Sequence, residues 1–418
     1  MKAAAPFALP LLLVGCVAYE PAPVEWAAEA ARLEAAPRRL ALSVADVRAR
    51  AVAFSPELNA LRLAHAASTA KAAAAGWWED PSLDVDWLRI LQEPENPVVW
   101  GASLSFTLPL SGIPAVEKRA AEAYADADRW ALVAAERTAA GDAAGAAVTA
   151  RELARVGDAV ARTLAATNYL AARAVVARLV DAGEVARVEA EQLDAEAREW
   201  ARTARELAAE RAAAEAPLRR TLLLSPTCEI VWQESEGAAP FPTNAYTCLA
   251  FTNAPSVRAA VRRLAGGEAE LDREIRRQYP ELSAGPAYSR EEGFNRVGFV
   301  TGLTLPLWNR NRVGIAEARG TRDAARQAAV EAWREAVYAW QALQDEAARL
   351  PDVPPVTSAE AAERLYAAGE LDAPGYLGAV HRSLAEAVAA ARVRIARGVL
   401  AARMQSVVEG LNEKEEMK

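Results

Sequence analysis

The spacing of apolar and polar residues changes from a helical period to strict alternation in two regions of the chain. In the first region, stretches at about 81–90 and 98–110 alternate and predict two β-strands. Their apolar positions are Leu83, Val85, Trp87, Trp100, Ala102, Leu104, Phe106 and Leu108. Their polar or small positions are Asp84, Asp86, Gly101, Ser103, Ser105 and Thr107. The pattern predicts a sheet with one apolar and one polar face.

The second alternating region predicts strands at about 281–290 and 296–307. Its apolar positions are Leu282, Ala284, Tyr288, Val297, Phe299, Leu303 and Leu305. Its polar or small positions are Ser283, Gly285, Ser289, Gly298, Gly302 and Thr304. Pro286 lacks an N–H donor, so we expect this strand to lie at an edge or to contain a bulge.

Outside these regions the apolar spacing is helical. The proline-free stretch from Pro114 to Val180 predicts one helix roughly 100 Å long, at about 1.5 Å per residue. A return helix is predicted from Ala186 to Glu215, ending before Pro217. In the second half, a helix beginning near Arg312 is interrupted at 350–355, resumes at 358 and ends near 369. The last helix is predicted at 376–411.

The order of these elements repeats at a distance of about 200 residues, which indicates internal duplication. The fold class is therefore mainly α with a small β part, built from a duplicated helix-strand-strand-helix-helix unit. We assign the first repeat to 43–216 and the second to 253–411, joined by a linker at 217–252 and followed by a tail at 412–418. The predicted hairpin tips are 182–184 and 368–370. Neither repeat has enough strands to close a sheet.

Composition excludes several classes of function. The net charge of -8 provides no basic patch, so we expect no nucleic-acid partner. Two histidines and three methionines leave little for a metal site, and no nucleophile-His-acid set is recognisable. We expect no enzymatic activity, no metal and no cofactor. His65 and His381 are expected to be structural or solvated.

The N-terminus has the features of a targeting segment. Lys2 precedes an apolar run that ends in Leu13-Val14-Gly15-Cys16, which resembles a bacterial lipobox. This predicts a signal peptide at 1–15, lipidation of Cys16 and a lipid-anchored, extended N-terminus at 16–42. The residue after Cys16 is valine and not aspartate. By analogy with the sorting rules of bacterial lipoproteins, this favours the outer over the inner membrane. The alternative is an ordinary secretory signal that contains a cysteine.

The two remaining cysteines, Cys228 and Cys248, both lie in a stretch without a predicted helix. An exported protein meets oxidising conditions, so we predict a disulfide between them. The alternative is two separate thiols.

Over nearly all of residues 42–411, the chain resembles the TolC-like outer-membrane efflux channels. Within that family it resembles the outer membrane factor lipoproteins of tripartite efflux systems. The resemblance rests on Ser-Pro-Glu-Leu at 55–58, on Thr-Leu-Pro-Leu at 107–110 and 304–307, and on the junction from Pro306 to Ala318. Within that junction, Asn-Arg-Asn-Arg at 309–312 looks more like the heavy-metal-efflux branch. The Ala-Gly-Glu segments at 182–184 and 368–370 look like the family's two periplasmic tips.

The resemblance implies a homotrimer. Three chains would supply twelve strands to one β-barrel in the outer membrane, with its apolar face toward lipid, beneath which the helices form a long coiled-coil barrel. The implied function is a passive exit channel of a tripartite efflux pump for small molecules or metal ions. Its partners would be a periplasmic adaptor protein, an inner-membrane pump and outer-membrane lipid. The alternatives are the duct of a type I protein secretion system and a lipid-anchored coiled-coil structural protein without a pore.

In this family, charges near the periplasmic tips control opening. The matching residues are Gly183, Glu184, Arg187, Glu189, Arg364, Gly369, Glu370 and Asp372. The alternative for each charge is an ordinary solvated helix surface. The acidic residue six positions after the tip glycine is Glu189 in the first repeat, whereas Gly375 occupies this position in the second. Trp77, Trp78, Trp87, Trp100 and Trp308 are candidates for interfacial girdles. The alternative is core packing at the junction of barrel and helices, which we favour for Trp77 and Trp308.

Overall fold

The computed structural model describes residues 19–89, 98–233, 240–242, 246–291, 294–305 and 308–412. Its α-helices are α1 (Trp26–Ala35), α2 (Val44–Phe54), α3 (Pro56–Ala74), α4 (Ile113–Ala165), α5 (Thr167–Asp181), α6 (Arg187–Thr221), α7 (Pro255–Arg276), α8 (Arg312–Arg349), α9 (Ala359–Ala367) and α10 (Ala373–Leu411). Its strands are β1 (Arg39–Leu42), β2 (Ser82–Arg89), β3 (Val98–Leu108), β4 (Glu229–Trp232), β5 (Glu281–Glu291) and β6 (Phe294–Thr304). The predicted signal peptide and Cys16 lie outside the described residues.

The mainly α fold class is confirmed, and the order of elements is duplicated. The first unit runs α3-β2-β3-α4-α5-α6, and the second runs α7-β5-β6-α8-α9-α10. The four predicted strands form one antiparallel sheet in the order β2-β3-β5-β6. Each unit contributes one hairpin, and the pairing of β3 with β5 joins the two units.

Pro286 lies in β5, which is an inner strand of this sheet and not an edge. The β3–β5 register pairs Ser103 with Ala287 and Phe106 with Ala284, and it is interrupted between these pairs. The missing N–H of Pro286 falls within this interruption. The irregular backbone there tolerates the proline, as a bulge would.

The long helix predicted from Pro114 to Val180 is broken at Ala166, although no proline is present. Ala166 is extended (φ -64°, ψ 137°), and α5 begins at the next residue. Buried positions in α4 include Val156 and Val160, whereas α5 buries Tyr169, Ala172 and Val176. A continuous helix would not bring Tyr169 onto the same face as Val160. The break therefore shifts the helical phase so that Tyr169 enters the core.

The return helix also differs from the prediction, because α6 continues through Pro217 to Thr221. The proline removes one backbone hydrogen bond near the end of the helix. The last turn nevertheless buries Leu218, and Leu222 follows at once in the same core cluster. Burial of two leucines offsets the lost hydrogen bond.

The proline-rich break in the second unit is an extended segment, 350–358, that lies along α10. Arg397 donates to the Pro351 carbonyl at 3.1 Å, and the Thr357 N–H donates to a Glu386 carboxylate oxygen at 2.7 Å. Nine extended residues span about 30 Å, the length of about 20 helical residues. The segment thus replaces a stretch of helix instead of adding a bend.

The N-terminal region predicted to be extended contains helix α1 and strand β1. Strand β1 pairs in parallel with β4, and this two-stranded sheet covers a core shared by α2, α4 and α6. The predicted disulfide is not formed, since both described cysteines are free thiols. Cys228 is buried in this core, where desolvation raises its pKa. Cys248 is exposed and begins a 3₁₀ helix (Cys248–Asn253) whose first carbonyl accepts a hydrogen bond from Trp333.

Candidate functional site

The four-stranded sheet separates its side chains into two chemically distinct faces. Cross-strand pairs such as Val85 with Ala102 and Pro286 with Phe299 place the apolar positions together. This face contains Leu83, Val85, Trp87, Trp100, Ala102, Leu104, Phe106, Leu108, Leu282, Ala284, Pro286, Tyr288, Val297, Phe299 and Leu303. Asp84 pairs with Ser103, and the Ser82 and Ser105 hydroxyls lie 2.7 Å apart on the other face.

The apolar face is exposed in the single chain. Leu83 is 65% exposed, Phe299 is 70% exposed and Val297 is 84% exposed. A contiguous apolar surface of this kind is rare on a soluble monomer and marks a site of interaction with protein or membrane. The outer edges of β2 and β6 have no strand partner among the described residues. A single chain thus leaves both its apolar face and its two backbone edges uncovered.

Tryptophans surround the ends of this sheet. Trp77 is 79% exposed and Trp308 is 92% exposed in the single chain, so neither packs into the core of one chain. Trp87 and Trp100 are also exposed and lie directly opposite each other on β2 and β3. Exposed tryptophans at sheet ends are typical of proteins that contact a membrane interface.

A strained turn connects the sheet to α8. Arg310 and Asn311 have positive φ values of 45° and 50°, an uncommon conformation for residues other than glycine. The Asn311 amide nitrogen donates to the Glu274 carbonyl at 2.8 Å and to its carboxylate at 2.7 Å. Burial raises the pKa of the Glu274 carboxyl, but hydrogen bonds from Asn311 and Arg273 outweigh it, and the net pKa is lowered. This contact explains an asparagine within the Asn-Arg-Asn-Arg motif.

We expect Asn311→Ala to destabilise the protein by about 1–3 kcal/mol, because it removes one hydrogen bond to the Glu274 backbone carbonyl and one to its buried carboxylate. Because folding lowers the pKa of Glu274, this carboxylate stabilises the fold above the ordinary glutamate pKa, and the contribution is lost as the pH falls through the lowered value. Thermal unfolding at pH 7 and pH 4 measures both effects. Asn309→Ala, at an exposed position two residues earlier, is the matched control. Equal losses for the two variants would contradict this account.

The two helical hairpin tips have the same backbone structure. Gly183 and Gly369 have φ values of 76° and 75°. The N–H of each glycine bonds the carbonyl three residues earlier, and the next N–H bonds the carbonyl five residues earlier. This is the Schellman arrangement, which requires a left-handed residue and so favours glycine. The duplication thus extends to individual hydrogen bonds at the tips.

The charged residues expected to form a gate are all exposed at these tips. Asp372 caps α10 by accepting the Gly375 N–H at 2.9 Å, and Arg364 donates to the Glu360 carbonyl at 3.4 Å. Within the described residues, no ion pair joins one tip of the chain to the other. The charged residues of the two tips, none of which pairs with the opposite tip, are Glu184, Arg187, Glu189, Arg364, Glu370 and Asp372.

The structure instead joins the two hairpins through a cluster around the buried His381, which the sequence did not indicate. Nδ1 of His381 lies 2.7 Å from the Glu196 carboxylate, and its Nε2 lies 3.0 Å from the Tyr169 hydroxyl. The Asn168 amide donates to Glu363 at 2.6 Å. Burial raises the pKa of Tyr169, which keeps its hydroxyl hydrogen available for bonding. His381 therefore links α10 to both α5 and α6.

Two features are absent from the described residues. None of their helices is long and apolar enough to cross a membrane. They also contain no group of three or more histidines, cysteines, aspartates and glutamates that could hold a metal ion.

No protein-family model matches the chain, and no curated protein matches it in sequence. Solved structures do match it over most of its length. The Campylobacter jejuni CmeC outer membrane channel has 14% sequence identity and a TM-score of 0.66, covering 96% of this chain and 93% of that one. The outer membrane protein VceC from Vibrio cholerae has 14% identity and a TM-score of 0.65, covering 88% and 95%.

The open state of the Neisseria gonorrhoeae MtrE outer membrane channel is similar at 15% identity and a TM-score of 0.63, covering 91% of each chain. These three structures each match between 88% and 96% of this chain. The chain therefore has the TolC-like fold that these outer-membrane channels share.

Proposed function

We propose that the chain is a passive outer-membrane exit channel of a tripartite efflux pump. Three copies would close one β-barrel in the outer membrane, and their helices would form a barrel that reaches into the periplasm. A periplasmic adaptor protein and an inner-membrane pump would deliver small molecules or metal ions to the periplasmic end. The TolC-like fold supports this assignment, since the matched structures are outer-membrane channels.

The observation that carries the proposal is the two-faced sheet with open edges. An unpaired strand edge is costly in hydrocarbon, because its backbone N–H and C=O groups have no partner there. Pairing β6 of one copy with β2 of the next satisfies both edges. Closure then directs Phe299 and Val297 to lipid, and Asp84 and Ser103 to a polar lumen. A coiled-coil protein without a pore has no use for such a sheet.

Reconstitution of the purified protein tests this function. We expect a trimer by native mass spectrometry in detergent, and discrete conductance steps in planar lipid bilayers. Loss of the gene should raise the sensitivity of the host to toxic solutes that its pumps export. A protein that remains monomeric and conducts nothing would refute the proposal. Retention of a secreted protein, without any change in solute sensitivity, would favour a type I secretion duct.

Lipidation of Cys16 is part of the proposal, and its support is the Leu-Val-Gly-Cys sequence. We expect radiolabelled palmitate to be incorporated into the wild-type protein and to be absent from Cys16→Ser. Cys248→Ser removes an exposed thiol elsewhere and should leave the label unchanged. Labelling of Cys16→Ser would disprove the anchor.

Gating at the tips is also proposed. Among the residues that the structure describes, no ion pair joins the two tips, and we infer that the charges there pair between chains. We expect Arg187→Glu or Arg364→Glu to raise single-channel conductance, since like charges would then replace attractive pairs. Exposed pairs contribute only about 0–1 kcal/mol each, but a trimer contains three copies of each. Arg198→Glu, an exposed reversal farther along α6, is the control. Unchanged conductance in both tip variants would contradict the gate.

A further inference from the structure

A cleft lies where the sheet meets the helices, at the end of the sheet that leads into α4 and α7. Its volume of about 630 Å³ is within the range of roughly 300–1,000 Å³ that is typical of small-molecule sites. Apolar side chains from both the sheet and the helical part provide most of its lining, and Asp272 and Arg276 form a charged corner. The cleft therefore offers an apolar wall and a charged group to one ligand.

The apolar wall of this cleft continues the apolar face of the sheet. Leu282 and Leu303 line the cleft, pair across β5 and β6, and belong to that face. Leu110 follows β3, and Ile275 lies near the end of α7. Leu110 is 73% exposed and Leu303 is 56% exposed, so the wall is uncovered in the single chain. Whatever covers the apolar face of the sheet can extend into the cleft without a break.

Exposed aromatic side chains mark the same end of the sheet. Trp77 and Trp78 precede β2, Tyr279 precedes β5 and Trp308 follows β6, and all four are exposed. Tryptophan and tyrosine concentrate where a membrane meets water, at the level of the lipid headgroups. In the proposed channel this end of the sheet lies on the periplasmic side of the membrane. The cleft would then lie at the height of the headgroups of the periplasmic leaflet.

The charged corner contains an arginine that is held in place and has a donor to spare. Nε of Arg276 donates to the Asp272 carboxylate at 3.0 Å, and its Nη1 donates to the Ser111 carbonyl at 2.8 Å. Its Nη2 donates to no acceptor among the described residues, and the side chain is 35% exposed. The other carboxylate oxygen of Asp272 accepts from Arg119 at 2.7 Å. Two guanidinium groups thus share one carboxylate, and these three groups together retain one positive charge.

We propose that this cleft binds a glycerophospholipid of the periplasmic leaflet, whose phosphate accepts from Nη2 of Arg276 and whose acyl chains lie on the apolar wall. This site rests on the proposed function, which places the sheet in the outer membrane. Arginine suits phosphate, because its planar guanidinium group donates several hydrogen bonds in a fixed geometry. The bonds to Asp272 and Ser111 hold that group before lipid arrives, so little side-chain freedom is lost on binding.

Two other ligand classes match only half of the cleft. A soluble phosphate uses the arginine but not the apolar wall, which would stay exposed to water. An uncharged lipid uses the wall but leaves Nη2 of Arg276 without an acceptor in an apolar surrounding, which is costly. A phospholipid satisfies both parts at once.

Native mass spectrometry of the full-length, detergent-solubilised protein tests the proposal. The probe is phosphatidylglycerol. The comparison probes are diacylglycerol, which lacks the phosphate, and glycerol phosphate, which lacks the acyl chains. We expect the wild type to retain phosphatidylglycerol, and neither comparison probe at the same concentration. Arg276→Gln should weaken this retention about tenfold or more, since a charge-assisted hydrogen bond to the phosphate is lost.

A second variant is needed because Arg276→Gln also removes the bonds to Asp272 and Ser111. Ile275→Glu leaves those bonds in place, and Ile275 is 39% exposed, so the fold tolerates the glutamate. Its charge would repel the phosphate and weaken retention. Val261→Glu is the matched control, because Val261 is a 49% exposed apolar residue of the same helix. It lies about 21 Å from Ile275 along α7, at 1.5 Å per residue.

Conductance of the same preparations in planar bilayers separates this site from the channel itself. Equal retention of phosphatidylglycerol by the wild type and by Ile275→Glu, in trimers that conduct, would overturn the lipid site and leave the channel standing. Equal retention of either comparison probe would also overturn it, since the arginine or the apolar wall would then play no part. A protein that neither assembles nor conducts would overturn the proposed function and the lipid site with it.

Discussion

Gly285→Val will prevent the four-stranded sheet from forming. A Cβ atom at this position would lie 1.7 Å from the Leu104 carbonyl oxygen and 2.7 Å from its carbon. Backbone atoms of β3 cannot rotate away as a flexible side chain does, so β3 and β5 would have to separate. This strand pair is the one that joins the two duplicated units. We therefore expect a destabilisation above about 4 kcal/mol, in the range of severe core substitutions.

The measurement is the yield of folded protein in the membrane fraction, followed by circular dichroism and thermal unfolding of what is recovered. Gly298→Val is the matched control, because Gly298 lies on the same polar face and a Cβ there meets no atom within 4 Å. Valine is also a favourable strand residue, so the control should fold normally. Similar yields for the two variants would show that the close approach at Gly285 is not what limits folding.

The sheet was predictable from the sequence because apolar and polar side chains alternate along its strands. Alternation from Trp100 to Leu108 is compatible with a half-exposed strand and not with a helix face, and the second unit repeats the pattern. The close approach of Gly285 to Leu104 was not predictable. It depends on which strands are neighbours, and the residues involved are about 180 positions apart.

The helices likewise combine features that the sequence predicts with features that it does not. Their existence followed from helical periodicity, and the tips followed from Ala-Gly-Glu, since Gly183 and Gly369 occupy left-handed caps. The break at Ala166 corresponds to a shift in the helical spacing of the apolar residues between Val160 and Tyr169. This signal can be recognised only once the structure is known. Pro217 does not end α6 as its sequence position predicts, because the burial of Leu218 locally outweighs the lost backbone hydrogen bond.

The contacts between the hairpins could not be found in the same way. His381 was expected to be structural or solvated, and a lone histidine in a helix carries no sign of its partners. Tyr169 and Glu196 reach it from two other helices, and only the packed structure brings the three together. The charges proposed for the gate illustrate the opposite case, since their positions are clear from the sequence but no ion pair among the described residues joins the two tips.

Phe299→Lys will prevent stable insertion into the outer membrane. Phe299 is the middle residue of β6, lies on the apolar face and is 70% exposed in the single chain. A lysine facing lipid at the middle of a transmembrane strand costs about 2–4 kcal/mol, and a trimer would contain three of them. We expect the variant to be absent from the outer-membrane fraction on a density gradient, and the trimer to be lost on native gels.

Gly298→Lys is the control for this second prediction, since it adds the same charge one residue away on the polar face. A Cβ at Gly298 meets no atom within 4 Å, so the lysine has space there. In a closed barrel this side chain would enter the aqueous lumen, and the variant should insert normally while its conductance for cations falls. If both lysine variants insert equally well, the apolar face does not contact lipid. The proposed transmembrane barrel is then wrong, even though the fold is TolC-like.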